Sequence, residues 1–108
     1  MASDNKVAIV TGSARGIGES TALMLAQRGY NITVNYASSV DEAKDTVMQC
    51  EAVGVEVLLI QGDIANDKDC RQIVDETMAK WGRLDVLINN AGTTTYVNHT
   101  NLEALTPE

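Results

Sequence analysis

The sequence predicts an α/β fold built on a doubly wound parallel sheet. Short segments rich in β-branched and apolar residues alternate regularly with segments of helical periodicity. Such apolar runs are typical of strands buried on both faces, and their alternation with helices is typical of right-handed crossover units. Strands in the order 3-2-1-4 are expected, which is one half of a doubly wound sheet and slightly more.

The first predicted unit is a strand, a glycine run and a helix. Lys6–Thr11 is nearly all apolar and predicts the strand, and the run Gly12–Gly18 follows it. A helix is predicted over Ile17–Arg28, because Gly29 stands in the usual stop position. One row of this helix and the small residues beside it should face the sheet: Ile17, Thr21, Leu25 and Arg28, flanked by Ala22 and Ala26.

The second unit begins with Asn31–Tyr36, which predicts the second strand. Ser39 and Glu42 have the spacing of a capping box, which favours a helix start. That helix should end near Gly54, before the third predicted strand, Val55–Gln61. Its expected buried face consists of Ala43, Val47 and Cys50.

The third unit contains a helix that Asn66 or Asp67 can cap and that Gly82 closes. The fourth strand is predicted over Leu84–Asn89. The residues of this helix that follow helical spacing are Cys70, Ile73, Val74, Thr77 and Trp81.

Length and composition indicate one small domain over residues 1–108. The net charge of -7 makes nucleic acid a poor first candidate for a partner, because a phosphate backbone attracts basic surfaces. No apolar run is long enough to span a bilayer and the first residues lack the core of a signal peptide, so we expect a cytoplasmic protein. Cys50 and Cys70 show no metal-ligand spacing, and no metal site is expected.

A glycine-rich segment joins the first predicted strand to the first helix. Gly12, Gly16 and Gly18 have the spacing Gly-x3-Gly-x-Gly. Glycines permit a tight turn and let a diphosphate approach the backbone, and a helix N-terminus offers N–H groups to it. We therefore expect the backbone amides around these glycines to bind the diphosphate of a dinucleotide. A glycine-rich turn without a ligand is the alternative, and a Walker-type loop is excluded because no Gly-Lys-Ser/Thr follows.

Two motifs taken together resemble the short-chain dehydrogenase/reductase family, in particular its 3-oxoacyl-[acyl-carrier-protein] reductase-like members. They are Thr11-Gly-x3-Gly-Ile-Gly18 after the first strand and Asn89-Asn90-Ala91-Gly92 after the fourth. The segment Gly62–Ile64 after the third strand also fits the family. The resemblance extends from about Lys6 to the end of the chain and implies a Rossmann-type fold, here its N-terminal half.

The resemblance implies cofactor-binding roles for the matched positions. Asp63 would contact the adenine amino group, Ile64 would pack on the ring, and the segment after the fourth strand would line the ribose near the nicotinamide. Alternatively, Asp63 is only a turn residue, and Asn89 and Asn90 belong to a loop bonded to its own backbone. The implied cofactor-binding set is Gly12, Ser13, Arg15, Gly16, Ile17, Gly18, Tyr36, Ser38, Ser39, Asp63, Ile64, Asn90, Ala91 and Gly92.

The residues after the second predicted strand favour NADP over NAD. An acid there would bind both ribose hydroxyls and repel a 2′-phosphate, but no acid occurs between Tyr36 and Asp41. Arg15 supplies a cation, and Ser38 and Ser39 supply hydroxyl groups. The alternative is that Arg15 is merely solvated and that the serines only cap the next helix.

The chain lacks the catalytic pair that the family resemblance implies. That chemistry requires Tyr-x3-Lys, but Val34, Val40 and Thr100 stand four residues after the three tyrosines. His99 is expected to be a loop residue rather than a general base, because no carboxylate or nucleophile flanks it. No residue is therefore given a catalytic role, and the chain alone is predicted to be inactive.

The pattern also predicts an incomplete sheet. The first two helices should cover one face and the third helix the other, which leaves the fourth strand as a bare apolar edge. Thr93–Thr100 is polar and is expected to be a loop, and Thr106 followed by Pro107 reads as a helix start. We therefore expect the N-terminal part of a longer protein, with a homo-oligomer or a second chain completing the fold.

Two functions remain open on the sequence. The leading one is the NADP(H)-binding portion of a reductase that transfers hydride between NADP(H) and a small carbonyl or alcohol substrate, such as a 3-oxoacyl thioester. The alternative is a non-catalytic dinucleotide-binding or interaction module. A methyltransferase-like nucleotide fold is disfavoured by Asn89–Gly92 and by the three-glycine spacing.

Overall fold

The computed structural model of the chain describes residues 5–13 and 16–90 and the backbone of residues 95–98. Strands and helices alternate along the described chain, and the predicted α/β class is confirmed. The strands are β1 Val7–Val10, β2 Asn31–Tyr36, β3 Val57–Gln61, β4 Val86–Asn89 and β5 Thr95–Asn98. The helices are α1 Gly16–Gln27, α2 Val40–Ala52 and α3 Asp67–Trp81.

The sheet has the order β3-β2-β1-β4-β5, so the predicted order of the first four strands is confirmed. The four strands pair in parallel, and β1 lies between β2 and β4. In the register, Val10 stands opposite Val34 on one side and Ile88 on the other. The chain therefore changes direction across the sheet at β1, and the ends of β1 and β4 meet at that point.

The edge of β4 is not bare, which corrects the sequence expectation. Residues Thr95–Asn98 form β5, which pairs antiparallel with β4 and places Tyr96 opposite Ile88. The polar composition of this segment predicts a loop, yet threonine, tyrosine and valine all favour strands. An open strand edge also offers unpaired N–H and C=O groups to any extended neighbour, and this pairing satisfies them.

The helices cover the sheet as predicted, with α1 and α2 on one face and α3 on the other. The first core joins α1 and α2 to alternate residues of the central strands, and its buried members are Ala8, Val10, Ala22, Leu25, Ala26, Ile32, Val34, Ala43, Cys50 and Ile88. The second core lies under α3, and its buried members are Val7, Ile9, Ile60, Ile73 and Leu84.

The face of α1 is rotated from the predicted row. Gly18, Ala22, Leu25 and Ala26 are buried, whereas Ile17 is 74% exposed. The small residues rather than the isoleucine face inward, because Gly18 packs against the loop that precedes the helix. Small side chains on this face let α1 lie close to the sheet.

The two other helix starts differ from each other. Ser39 is the N-cap residue of α2, but its side chain makes no capping hydrogen bond, so the bond from Ser39 that the predicted capping box requires does not form. The Asn66 side chain does cap α3 and accepts hydrogen bonds from the N–H groups of Lys68 and Asp69. At the end of α3, Gly82 takes the left-handed conformation with φ of 74°, as a C-terminal glycine commonly does.

Candidate functional site

The predicted site residues that the structure describes lie at the carboxyl edge of the sheet. Segments after β1, β2, β3 and β4 reach this edge, and the N-terminus of α1 lies beside them. In doubly wound sheets ligands bind at this edge, where the strand order reverses. Arg15, Ala91 and Gly92, together with His99 and the predicted helix start at Thr106, fall outside the described residues.

Glycine is required at the start of α1 because the backbone approaches itself there. A Cβ on Gly18 would lie 2.2 Å from the carbonyl oxygen of Gly12 and 2.8 Å from Nδ2 of Asn90. Gly12 and Gly16 have φ of 61° and 66°, which favours glycine at both positions. Gly12 therefore lies directly against Gly18 in the first turn of α1, and neither of these two residues has a Cβ.

Two of the amides in this loop are already occupied within the chain. The Gly12 N–H donates to Oδ1 of Asn35 at 3.0 Å, and the Ser13 N–H donates to the Asn35 carbonyl at 2.9 Å. The first N–H groups of a helix have no partner within the helix. The first N–H groups of α1 can therefore meet an anion, whereas those of Gly12 and Ser13 donate to Asn35, and diphosphate binding by the amides around Gly12 stays a prediction.

The Ser13 side chain points into the protein. It is fully buried, and its hydroxyl donates to the Val10 carbonyl at 2.7 Å while accepting from the Asn35 N–H at 3.0 Å. These contacts hold the loop against the end of β2. Direct contact between Ser13 and a diphosphate stays a prediction.

Asn35 is a site residue that the sequence reasoning missed. It is 2% exposed, and besides accepting from Gly12 its Nδ2 donates to the carbonyls of Gly62 at 3.2 Å and Ile60 at 3.4 Å. One signal is available in the sequence: Asn31, Thr33 and Asn35 alternate along the second predicted strand. Buried polar side chains must find hydrogen-bond partners, so their alternation indicates a polar row on one face.

Thr11 joins the end of β1 to the segment after β4. Its hydroxyl accepts from the Asn90 N–H at 2.9 Å, and its proton faces the Ile88 carbonyl at 3.3 Å and Oδ1 of Asn89 at 3.2 Å. The Asn90 side chain is half-buried beside Gly18. The two motifs that carried the family resemblance are therefore in direct contact.

The ends of β2 and β3 form the other half of the edge. Tyr36 is half-buried, Ser38 is exposed and Ser39 is half-buried without a capping bond. The Gln61 side chain crosses between the two ends and donates from Nε2 to the Ala37 carbonyl at 3.0 Å. These side chains line an open surface, so a polar ligand can reach the two serines.

Asp63 and Ile64 follow β3 in a tight turn. Oδ1 of Asp63 accepts from the Ala65 N–H at 2.9 Å, and the Asp63 N–H donates to Asp69 at 2.8 Å. Asp63 is exposed, and Ile64 is half-buried against the second core. Asp63 thus acts as a turn residue, which was the alternative role expected for it, while its contact with an adenine stays a prediction.

Ile17 occupies the solvent side of the site. It lines a shallow depression on α1 together with Ser20, Thr21 and Met24. Ile17 is 74% exposed there, and its contact with a ligand stays a prediction.

The described parts of the chain were also searched for metal sites and for membrane-spanning helices. Across residues 5–13 and 16–90, no group of three or more His, Cys, Asp and Glu side chains could hold a metal ion. None of the described helices is both long and apolar enough to cross a membrane.

Comparison with known proteins identifies a family that matches the chain. The family model for the short chain dehydrogenases matches residues 6–106. The chain is 48% identical over 90 residues to the 3-oxoacyl-[acyl-carrier-protein] reductase FabG of Staphylococcus epidermidis. Among solved structures, it is similar to a short-chain dehydrogenase/reductase from Burkholderia xenovorans, with a TM-score of 0.81 and 37% identity. It is also similar to acetoin dehydrogenase from Enterobacter cloacae, with a TM-score of 0.76 and 46% identity.

The match covers most of this chain but the smaller part of each relative. It covers 83% of the chain and 37% of the Staphylococcus reductase. For the Burkholderia structure the shares are 94% and 42%, and for the Enterobacter structure they are 84% and 36%.

Proposed function

This chain belongs to the short-chain dehydrogenase family, and from that premise we propose that it is the NADP(H)-binding portion of an oxidoreductase. The complete reaction would transfer hydride between NADP(H) and a carbonyl or alcohol substrate. The observation that carries the proposal is the approach of Gly18 to Gly12, which brings the backbone of the loop directly against the first turn of α1 with no Cβ at either position. A backbone surface of this kind suits a diphosphate.

The described residues fit a dinucleotide along the whole edge. The N–H groups at Gly16, Ile17 and Gly18 would hold the diphosphate, supported by the positive end of the α1 dipole. Asp63 and Ile64 would contact the adenine at the end of β3. Asn90 would contact the ribose on the nicotinamide side, as would Ala91 and Gly92. Bound there, the nicotinamide would supply the hydride.

Two features after β2 support NADP as the cofactor. No carboxylate lies between Tyr36 and Ser39 that could accept hydrogen bonds from the ribose hydroxyls. The Ser39 hydroxyl makes no capping bond at the start of α2, so it is available to a 2′-phosphate, as Ser38 and Arg15 would be. NAD is the second candidate, because the exposed carboxylates of Asp41 and Glu42 lie in the first turn of α2 and oppose a phosphate.

The chain itself binds the cofactor in this proposal and does not carry the acid–base step. Its sequence contains no Tyr-x3-Lys pair, so the proton that accompanies hydride transfer has no matched donor here. The substrate class is a small carbonyl compound or alcohol. A 3-oxoacyl thioester is one candidate, because a reductase named for that substrate is among the relatives. A homo-oligomer, or a second chain completing the fold, stays part of the prediction.

Calorimetric titration of the purified chain with NADP+ and NAD+ tests the proposal. We expect saturable binding of both, tighter for NADP+. Tighter NAD+ binding would overturn the cofactor preference, and absence of heat with both, on a chain shown to be folded by circular dichroism, would overturn dinucleotide binding. In that case the interaction-module alternative would be favoured.

A further inference from the structure

The side chain of Asn35 connects two loops that belong to different strands. On one side its Oδ1 accepts from the Gly12 N–H at 3.0 Å, and on the other its Nδ2 donates to the Gly62 carbonyl at 3.2 Å. The backbone of Asn35 makes three further hydrogen bonds with Ser13. One buried residue therefore fixes the glycine loop after β1 and the turn after β3 relative to each other.

An asparagine suits this place because its short amide offers an acceptor and a donor at the same end. The Gly12 N–H requires the acceptor, while the Gly62 carbonyl requires the donor. An aspartate in its ionised form offers acceptors only and would place an oxygen against the carbonyls of Gly62 and Ile60. A serine is too short to span both loops. The contacts thus depend on the amide chemistry as well as on its size.

We propose that Asn35 is a positioning residue for the dinucleotide, setting the spacing between the loop that holds the diphosphate and the turn that holds the adenine. This inference rests on the proposed function. It adds that the two loops are coupled through one side chain which itself stays buried. A ligand that spans both loops depends on that spacing, whereas a ligand held by one loop does not.

The first test converts the amide into a group that can be switched by pH. In Asn35→Asp the protonated carboxyl keeps one acceptor and one donor, and ionisation removes the donor. Burial raises the pKa of such a carboxyl, so the switch falls within an accessible pH range. We expect the NADP+ affinity of this variant, relative to the wild type at each pH, to fall about tenfold between about pH 5 and pH 8.

The carboxylates on the elements around Gly62 are Asp63 in the turn and Asp69 on α3, and both are present in variant and wild type alike. Asn31→Asp is the matched control. Asn31 is a buried asparagine on the same face of β2, at the opposite end of the strand, where its Oδ1 accepts from the Glu56 N–H. It should change stability without a pH-dependent change in relative NADP+ affinity.

The second test uses Asn35→Ser, whose vacated volume a water can fill, so that it keeps the fold even where the aspartate variant unfolds. Its affinity for NADP+, for adenosine 2′-monophosphate and for pyrophosphate is measured by calorimetry. We expect the loss for NADP+ to be about tenfold and clearly larger than the loss for either fragment.

These experiments distinguish the positioning role of Asn35 from the proposed function of the chain. If the wild type binds NADP+ and the folded Asn35 variants bind it equally well at every pH, or lose fragment and dinucleotide affinity in equal measure, the positioning role is overturned and the proposed function stands. If the folded wild type binds no dinucleotide, both fall together.

Discussion

The carbonyl oxygen of Gly12 lies so close to Gly18 that a Cβ at Gly18 would meet it at 2.2 Å. Real Cβ atoms do not approach backbone oxygens this closely, so any side chain there must displace the loop. The same position faces Nδ2 of Asn90, which belongs to the segment after β4. The loop after β1, the first turn of α1 and the segment after β4 can therefore meet only because Gly18 has no Cβ.

Gly18→Ala should weaken cofactor binding with little loss of stability. The loop must move to accept the methyl group, at a cost of about 1–3 kcal/mol, while alanine in a helix gains about 1 kcal/mol over glycine. We expect the free energy of unfolding to fall by about 1 kcal/mol and the Kd for NADP+ to rise at least about tenfold. Denaturant titration and calorimetry measure the two quantities.

Gly29→Ala is the control for that variant. Gly29 follows the other end of α1, has φ of 93° and has open space where a Cβ would stand. Its substitution should cost about 1 kcal/mol through the left-handed backbone and leave NADP+ affinity within about twofold. Equal losses of affinity in the two variants would contradict the role given to the loop.

The two helix caps should differ in their contributions to stability. The Asn66 side chain accepts from two N–H groups of α3, so Asn66→Ala should lower the free energy of unfolding by about 1 kcal/mol. The Ser39 side chain makes no such bond on α2, so Ser39→Ala should lower the free energy of unfolding by only about 0.3 kcal/mol. Urea denaturation of both variants decides this, and a Ser39 loss as large as the Asn66 loss would contradict the structure.

The first four strands could be predicted from local composition, and their order from the regular alternation of strands and helices. The bounds of β2, Asn31–Tyr36, agree with the prediction, since Gly29 and the two serines after Ala37 flank a segment that alternates polar residues with Ile32, Val34 and Tyr36. The division of the helices between two faces could also be predicted, because crossover handedness leaves one arrangement. These properties need no knowledge of which side chains touch.

The missed features depend on contacts between distant residues. The strand at Thr95–Asn98 exists because β4 offers it an edge, which composition does not reveal. The alternation of Asn31, Thr33 and Asn35 indicates a buried polar row, but the contact between Asn35 and Gly62 depends on β3 and is not visible in the sequence. The exposure of Ile17 follows from the close approach of Gly18 to Gly12 and not from helical periodicity alone.

An acid placed after β2 should reverse the cofactor preference. Ala37 is exposed, so Ala37→Asp can be accommodated without repacking. Its charge would repel a 2′-phosphate and bind the ribose hydroxyls of NAD+. We expect NADP+ affinity to fall about tenfold or more while NAD+ affinity is kept or improved.

Ala79→Asp, on the exposed side of α3, is the control that changes net charge by the same amount far from this edge. It should leave the ratio of the two affinities unchanged. Parallel losses for NADP+ and NAD+ in Ala37→Asp would contradict the placement of the 2′-phosphate beside Ser38 and Ser39.

The two cysteines should differ in their reactivity toward iodoacetamide. Burial, with Glu19 and Glu51 nearby, raises the pKa of the Cys50 thiol to about 11, and Cys50 is fully buried. At pH 8 that means roughly 100-fold less thiolate than at an ordinary cysteine. We expect Cys70 to be alkylated first, although burial and then Asp67 and Asp69 also raise its pKa. Rapid labelling of native Cys70→Ser, measured by mass spectrometry, would contradict the burial of Cys50.

Asp85 should make the fold sensitive to acid. Burial alone would raise its pKa, but hydrogen bonds from Arg83 and from the Val7 N–H hold the pKa below its usual range. A lowered pKa stabilises the fold above the unfolded value of about 3.9, and this contribution is lost as pH falls through the folded value. Asp85→Asn should therefore lower the free energy of unfolding by about 1 kcal/mol at pH 7 and flatten the decline in stability between about pH 5 and pH 2.

Asp67→Asn is the control, because it removes an exposed ion pair to Arg71 and should lower the free energy of unfolding by about 0.5 kcal/mol or less. An Asp85→Asn variant that declines with acid as steeply as the wild type would show that this carboxylate is not the cause.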